Sequence, residues 1–357
     1  MNNNDLLDLY TDYLISSFGA TTGVGLARLL DGAVSHDRIQ RYLAGPRKDG
    51  AEYWKVVKRY VREMESVAGV LIVDDSIVEK PHTDENELVS WHYDHTSGQT
   101  VKGINFVTAL YHSQGVSLPV GYHLVSKTEE YIDAKTGQVK RRSAVTKNEV
   151  YRQLVQQAQA NHMPFRYVVN DVWFASADNM LFVKHDLQRD FVMPLKTNRK
   201  VSVSVDAKNR RQYVRVDTLG LEAATPLTVY LEGVDFPLTL VKQVFTNADG
   251  SVGMLLLVTS DPDLTYDGIT STYRTRWHVE PYHKSLKQNA ALAASPTKTP
   301  TTQANHIFAS LCAYLKLEML KLATHTNHFA LKSRLYVRAL HTAFESLRQL
   351  DPIRLSA

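Results

Sequence analysis

The chain has 357 residues, of which 44% are apolar and 22% charged, a composition typical of a globular protein with one large domain or two to three smaller ones. Its single cysteine, Cys312, excludes an intramolecular disulfide and a thiolate zinc site, so a reducing cytoplasm is expected. The polar N-terminus does not have the pattern of a signal peptide, and charged residues interrupt the longest apolar helix at 306–323, so a membrane span is not expected.

The formal net charge is only +4, yet the charges are unevenly distributed along the chain. Residues 74–94 contain seven acids and one lysine, whereas residues 184–211 contain eight Lys or Arg and three acids. Residues 265–357 contain twelve Lys or Arg and five acids. An acidic pocket between basic segments suits a metal site that acts on a polyanion, although each run taken alone is also typical of a solvated surface.

Residues 1–66 are predicted to be helical and to form the first domain. Two short helices, "TTGVGLARLL" and "SHDRIQRYL", are joined by a turn, and Ser35 is a suitable N-cap for the second. This pattern resembles a helix-turn-helix, in which Arg38 and Arg41 of the second helix would contact DNA. A small helical bundle without DNA contact shows the same pattern, and the region contains nine basic and nine acidic residues.

A mixed α/β sheet is predicted over residues 67–197. The apolar run "AGVLIVDD" predicts a buried strand, and "GINFVTALYH" and "LPVGYHLVS" predict two more. A helix over "VTKNEVYRQLVQQAQANH", a strand over "FRYVVND", a helix over "SADNMLFVKHDLQ" and a strand over "DFVMPLK" follow. The expected fold class is therefore α/β, with a helical region at each end of the chain.

The pattern changes at residues 198–248, which are predicted to form an all-β insertion without helices. "KVSVSVD" alternates apolar and polar residues, with Val201, Val203 and Val205 on one face. The strand "GMLLLVTS" then returns the chain to the α/β domain, whose second part spans residues 249–325. A helical C-terminal segment at 326–357 completes the predicted order of domains.

Two aspartates close buried apolar strands, Asp74 in "LIVD" and Asp171 in "YVVND". Ligand chemistry in α/β sheets collects where strands end. Carboxylates from two strands and a third from a helix can hold a pair of hard cations, which activate the attacking oxygen and stabilise the leaving oxygen in phosphoryl transfer. The alternative for either aspartate alone is that it starts a turn.

The third acid is predicted within "YRTRWHVEPYHKSLKQ", residues 273–288. On a helix with about 100° per residue, four polar side chains fall within a sector of about 60°, opposite an apolar edge: Tyr273, Arg276, Glu280 and Lys287. This arrangement suits a metal ligand, Glu280, with phosphate-binding groups beside it, whereas an i,i+4 charge ladder is the alternative. Pro281 predicts either a kink at Glu280 or a helix that begins there with the proline in its first turn.

The spacing Tyr-x2-Arg-x3-Glu-x6-Lys resembles the YREK signature of cut-and-paste DDE transposases encoded by bacterial insertion sequences. "YRTRWHVE" resembles the YxxRWxxE block of that family, "VDDS" its first-aspartate motif and "NDVWFAS" its second-aspartate block. "LKTNRK" resembles the stretch before the family's β insertion. The resemblance covers residues 68–325 and includes the order of the motifs.

The resemblance implies an RNase H-like fold that is interrupted by a β-strand domain. It implies two Mg²⁺ ions, for which Mn²⁺ can substitute, held by three catalytic residues: Asp74, Asp171 and Glu280. Phosphates at the transposon end would be bound by Tyr273, Arg276 and Lys287. Residues at the entry to the insertion are further candidates for contact with the DNA backbone: Lys196, Asn198, Arg199 and Lys200. Trp173 is expected to pack in the protein or to line the site beside Asp171.

The expected function is that of a transposase that cleaves transposon-end DNA and joins it to target DNA. It would act as a homodimer on double-stranded DNA in the bacterial cytoplasm, associated with the nucleoid. Two alternatives are a metal-dependent, structure-selective nuclease on the same fold and a domesticated DNA-binding protein without catalysis. Relatives with this insertion often excise through a DNA hairpin with help from an aromatic residue of the insertion, for which the candidates here are Tyr213, Tyr230 and Phe236.

Overall fold

The structure is a computed structural model that describes residues 2–94, 98–134 and 136–350, with side chains up to residue 346. The chain forms two compact units. The helical unit comprises Met1–Val56, Val78–Gly103 and Pro281–Ala357, and the sheet unit comprises Val57–Ile77 and Ile104–Glu280. The domain boundaries expected from the sequence stay predictions. Among the helices described, none is long and apolar enough to cross a membrane.

The described part of the chain contains eleven α-helices, most of them near its two ends. They are α1 (Asn3–Ser16), α2 (Gly23–Leu29), α3 (His36–Leu43), α4 (Gly50–Met64), α5 (Lys147–Ala160), α6 (Ala177–Leu181), α7 (Val205–Asn209), α8 (Tyr266–Arg274), α9 (Val279–Gln288), α10 (Pro300–Thr324) and α11 (His328–Leu350). The last seven residues of the predicted C-terminal helical segment lie outside the described residues.

Thirteen strands are described, and they occupy the middle of the chain. They are β1 (Val70–Glu79), β2 (Val89–Asp94), β3 (Gln99–Ser113), β4 (Val116–Leu124), β5 (Glu129–Ile132), β6 (Val139–Arg142), β7 (Tyr167–Asn170), β8 (Asp190–Pro194), β9 (Lys200–Ser202), β10 (Val214–Arg215), β11 (Leu227–Leu231), β12 (Leu238–Thr246) and β13 (Val252–Thr259).

In the helical unit, side-chain caps fix where helices begin and buried aromatic rings form the core. Ser35 begins α3, because its hydroxyl accepts a hydrogen bond from the N–H of Arg38 at 3.3 Å, as predicted from the sequence. The buried rings of Tyr53 and Phe308 meet edge to face with their centres 6.1 Å apart. Fifteen of the first nineteen residues of α10 are buried, so this helix forms the centre of the unit.

A mixed sheet runs through the sheet unit with the strand order β10-β9-β11-β12-β13-β8-β7-β1-β3-β2, and β4 also pairs with β3. β7 runs parallel to both β1 and β8, whereas β4 is antiparallel to β3. The central strands are apolar on both faces, and Leu71, Ile72, Val168 and Val169 are fully buried. The predicted α/β class, with helices at both ends of the chain, is confirmed, and the strand order is consistent with an RNase H-like domain.

The insertion is mainly β, as predicted, but the expectation that it contains no helix is wrong. β9 ends at Ser202, and α7 begins after Ser204, whose hydroxyl accepts a hydrogen bond from the N–H of Ala207 at 3.1 Å. Val203 and Val205 are exposed instead of sharing a buried face with Val201. A serine that satisfies the free N–H groups of a first helical turn therefore outweighs the alternating pattern here.

Candidate active site

Asp74 and Asp171 are neighbours in the register of two central parallel strands. β1 and β7 pair up to Val73, which lies opposite Asn170, so the next residue on each chain segment is one of the two aspartates. The sequence predicts that Asp74 closes its strand, but β1 continues to Glu79. The reason is that β1 also has β3 as a neighbour, so the strand persists where its pairing with β7 stops.

Backbone hydrogen bonds orient both carboxylates. The N–H of Trp173 donates to Oδ1 of Asp171 at 2.9 Å, and the N–H of Asp75 donates to Oδ1 of Asp74 at 2.9 Å. The buried ring of Tyr151 stacks on Phe174 with ring centres 5.5 Å apart, and its hydroxyl donates to Oδ1 of Asn170 at 3.2 Å. The residues around Asp171 are therefore well packed.

The two carboxyls share a poorly solvated environment. Burial raises the pKa of Asp74 to about 7, and the negative charge of Asp171 adds to this rise. Burial likewise raises the pKa of Asp171, while the hydrogen bond from the N–H of Trp173 opposes the increase. A bound cation would stabilise the charged forms of two poorly solvated, adjacent carboxyls of this kind.

Arg276 connects Asp74 to Glu280. Its Nη1 lies 3.6 Å from Oδ2 of Asp74 and its Nη2 lies 3.6 Å from Oε1 of Glu280. The side chains of Arg276 and Asp74 are only 15% and 13% exposed, whereas that of Glu280 is 53% exposed. Tyr273 is buried beside them; its burial raises the pKa of the phenol to about 12, and the charge of Arg276 opposes the rise. Three of the four residues predicted to share a helix edge are therefore brought together.

The segment that carries Glu280 is not one continuous α-helix. A 3₁₀ turn at Thr275–His278 separates α8 from α9. α9 begins at Val279, so Pro281 lies in its first turn, which is the second of the two expected arrangements. A first-turn residue needs no intrahelical partner for its N–H, so proline is tolerated there. Val279, Tyr282 and Leu286 are buried, as the apolar edge predicts.

Pro281→Ala is accordingly expected to change the free energy of unfolding by less than about 1 kcal/mol, since no backbone hydrogen bond is gained or lost. The matched control is Lys284→Pro at an exposed position in the middle of α9, which is expected to cost about 3 kcal/mol or more. Chemical denaturation measures both values. Equal losses in the two variants would show that Pro281 does not occupy the first turn.

The donor set of the site suits a hard divalent cation. Asp74 and Asp171 offer carboxylate oxygens, the ligands that Mg²⁺ and Mn²⁺ prefer. Burial raises the pKa of both carboxyls, and a bound cation would favour their charged form. Among the described residues, no three His, Cys, Asp or Glu side chains converge closely enough to hold a metal ion. Arg276 forms an ion pair with each of Glu280 and Asp74.

Asp75 takes part in the site, although the sequence alone suggested only a spacer residue between Asp74 and Ser76. Its Oδ2 accepts hydrogen bonds from Nδ2 of Asn105 and from Nζ of Lys147, both at 2.7 Å. The charge of Asp75 raises the pKa of both Asp74 and Asp171. Because Asn105 and Lys147 lie on β3 and α5, 30 and 72 positions away, no local pattern points to this group.

The basic turn after β8 lies against the loop that follows Asp171. Nζ of Lys196 is 4.1 Å from the centre of the Trp173 ring, and Nη1 of Arg199 donates to the carbonyl oxygen of Ala175 at 3.5 Å. Trp173 is 49% exposed, so it lines the surface here rather than packing in the core. Asn198 is exposed in the same turn, and Lys200, also exposed, begins β9.

The remaining predicted DNA-contact residues belong to the helical unit. Arg38 and Arg41 are exposed on α3 and line a groove of about 660 Å³, together with Tyr42 and Lys48. None of the described side chains that line this groove is acidic. Lys287 is half-buried on α9 and also belongs to the helical unit.

The site therefore combines two poorly solvated acids at the central parallel strands of a mixed sheet with a basic turn beside the loop that follows Asp171. The family model described as "DDE superfamily endonuclease" matches residues 2–215, which is more than half of the chain. The chain therefore belongs to the DDE superfamily endonucleases. The matched range includes Asp74 and Asp171 but not Glu280. No curated protein matches the chain.

Proposed function

We propose that this endonuclease is a DNA transposase of the YREK type, which cleaves transposon-end DNA and joins the freed end to target DNA. The observation that carries the proposal is the pair of poorly solvated acids, Asp74 and Asp171, with Arg276 forming ion pairs with both Asp74 and Glu280. Membership of the DDE superfamily endonucleases supports the cleavage step. The order of the YREK motifs along the chain supports the joining step.

Asp74, Asp171 and Glu280 are the proposed ligands of two Mg²⁺ ions, for which Mn²⁺ can substitute. When bound, such ions activate the attacking oxygen and stabilise the leaving oxygen of a phosphodiester. The protein contributes fixed positions for the two aspartates, because strand pairing and the N–H groups of Asp75 and Trp173 hold them. Buried surroundings strengthen the attraction of these carboxylates for a cation.

Some of the proposed DNA contacts lie close to these acids within the sheet unit. Arg276 presents a planar guanidinium, which matches a phosphate with two parallel hydrogen bonds, and Tyr273 lies beside it. Lys196 and Arg199 stand on the basic turn next to the loop of Asp171. Further backbone contacts are proposed for Asn198, Lys200, Lys287, Arg38 and Arg41. Such contacts supply affinity and register, whereas the reading of a particular end sequence needs contacts with base edges.

The proposed substrate requires two DNA ends to be processed together, so a homodimer assembled on paired double-stranded ends is the proposed active form. A transposase of a bacterial insertion sequence would work in the cytoplasm, on the nucleoid.

The test of the proposal is a joining assay. Purified protein is incubated with labelled end DNA, a target plasmid and Mg²⁺, and the expected result is labelled DNA joined covalently to the plasmid. Cleavage without any joined product would instead support a structure-selective nuclease, which the family description also fits. DNA binding without cleavage would support the non-catalytic alternative. Glu280→Gln is the matched negative control.

Asp75→Asn tests the supporting network. The amide keeps the size of the side chain but loses the charge that Lys147 and Asn105 bind, so single-turnover cleavage is expected to fall about 10- to 100-fold, as for other groups that orient metal ligands. Asp84→Asn, at an exposed position, is the control and should leave the rate unchanged. A cleavage rate equal to that of the wild type in Asp75→Asn would exclude a role in orienting Asp74.

A further inference from the structure

We infer that Arg276 is a built-in counter-ion of the metal site, whose guanidinium neutralises Asp74 and Glu280 in the DNA-free protein and so weakens their binding of divalent cations. This inference rests on the proposed function, since it takes these two acids to be metal ligands. It assigns Arg276 a second role, separate from contact with a DNA phosphate, and it makes the arginine a positioning residue for the acids.

The position of the guanidinium carries the inference. Two of its nitrogens lie 3.6 Å from one oxygen each of Asp74 and Glu280, so a single cation stands between carboxylates that come from β1 and α9. The positive charge of Arg276 lowers the pKa of Asp74 and of Asp171, opposing the effect of burial. Arg276 therefore supplies part of the charge compensation that a metal ion would supply.

The ion pairs of the guanidinium are long, although Tyr273 and the ring of Trp277 also contact the side chain. Both ion-pair distances exceed the roughly 2.7–2.9 Å of a charge-assisted hydrogen bond. Nε of Arg276 is buried and has no hydrogen-bond partner among the described residues. A guanidinium with an unused donor and two long ion pairs can exchange its carboxylate partners for an acceptor that allows shorter hydrogen bonds. A DNA phosphate is such an acceptor, because its oxygens match the planar fork of arginine.

The binding of a divalent cation and the binding of a DNA phosphate are therefore expected to be coupled through Arg276. A divalent cation that binds Asp74 and Glu280 must displace Arg276, whereas a DNA phosphate that binds Arg276 leaves the two acids free. Each ligand therefore favours the other, and by linkage the factor is the same in both directions. The metal site is weak without DNA and becomes stronger when a DNA end is in place.

The experiment measures Mn²⁺ binding to the DNA-free protein by electron paramagnetic resonance of the free ion. Arg276→Gln and Arg276→Met are expected to bind Mn²⁺ about tenfold more tightly than the wild type, which corresponds to about 1.4 kcal/mol. Arg276→Lys keeps the charge and should remain near the wild type. Arg274→Gln, at an exposed position on the same segment, is the matched control and should not change the affinity.

A purely structural role for Arg276 would leave Mn²⁺ affinity unchanged or lower it in the neutral variants, and either result would overturn the inference while the metal site itself stands. If neither the wild type with an end duplex nor Arg276→Gln bound Mn²⁺ more tightly than Asp74→Asn does, the metal site and the inference would both fail. A second measurement uses a short end duplex, which should tighten Mn²⁺ binding in the wild type but not in Arg276→Gln. Circular dichroism verifies folding, and the Gln variant carries the comparison if the Met variant does not fold.

Discussion

Asp171→Asn is expected to abolish DNA cleavage, with a loss of at least about 1000-fold in the single-turnover rate, while the affinity for end DNA survives. The amide has nearly the size of the carboxylate and can still accept the hydrogen bond from the N–H of Trp173, so the fold should persist. The substitution removes one of the charges that hold the proposed metal ions. Loss of a ligand lowers activity by more than the 10- to 100-fold that is typical when a group hydrogen-bonded to a ligand is lost. Asp74→Asn and Glu280→Gln should have the same effect.

Gel-shift titration and cleavage of labelled end DNA measure the two properties separately. The control is Glu232→Gln, an exposed acid of the insertion, which should retain both. Normal cleavage by Asp171→Asn or Glu280→Gln would remove that residue from the catalytic set. Loss of DNA binding together with cleavage would show that the residue acts through the structure of the protein instead.

Asp74→Asn is also expected to stabilise the metal-free protein at pH 8, by about 2–4 kcal/mol. The ordinary pKa of an aspartate is 3.8, but burial and Asp171 raise that of Asp74 to about 7 in the folded protein. Between about pH 4 and pH 7, Asp74 therefore keeps its proton in the folded protein but has lost it in the unfolded chain. The free energy of unfolding of the wild type should fall as the pH rises from about 4 to about 7 and remain low above this range.

Urea denaturation in the presence of a chelator, repeated between pH 5 and pH 8, measures this effect. The stability difference between Asp74→Asn and the wild type should grow with pH, and Mg²⁺ should stabilise only the wild type. Glu232→Gln again serves as the control, with a difference that does not depend on pH. If the difference in the free energy of unfolding between Asp74→Asn and the wild type were the same at pH 5 and pH 8, the raised pKa of Asp74 would be wrong.

Much of the sheet could be predicted because its strands are buried on both faces and have continuous apolar sequences. Continuous apolar runs correctly predict five strands: β1, β3, β4, β7 and β8. The predicted helices α5 and α6 are also present, before and after β7. The placement of Asp74 beside Asp171 could be anticipated because both follow runs of this kind on parallel strands.

Other features depend on contacts that no local pattern shows. The β5–β6 hairpin consists of exposed residues, and ion pairs such as Glu130 with Arg141 join its strands. Asp75 gains its partners from β3 and α5. The 3₁₀ turn between α8 and α9 retains the contact of Arg276 with Glu280 but ends the continuous helix that the spacing suggested.

The central claim is that Glu280 completes a metal centre with Asp74 and Asp171, and Glu280 lies outside the range that the family model matches. The most direct measurement is cleavage by Glu280→Cys in Mg²⁺ and in Mn²⁺, because Mn²⁺ accepts a thiolate ligand more readily than Mg²⁺ does. The natural cysteine, Cys312, is buried and does not interfere. We expect no cleavage in Mg²⁺ and partial recovery in Mn²⁺, with Glu280→Ala inactive in both. Equal activity of Glu280→Cys in the two metals, or recovery of Glu280→Ala in Mn²⁺, would contradict the role of Glu280 as a ligand.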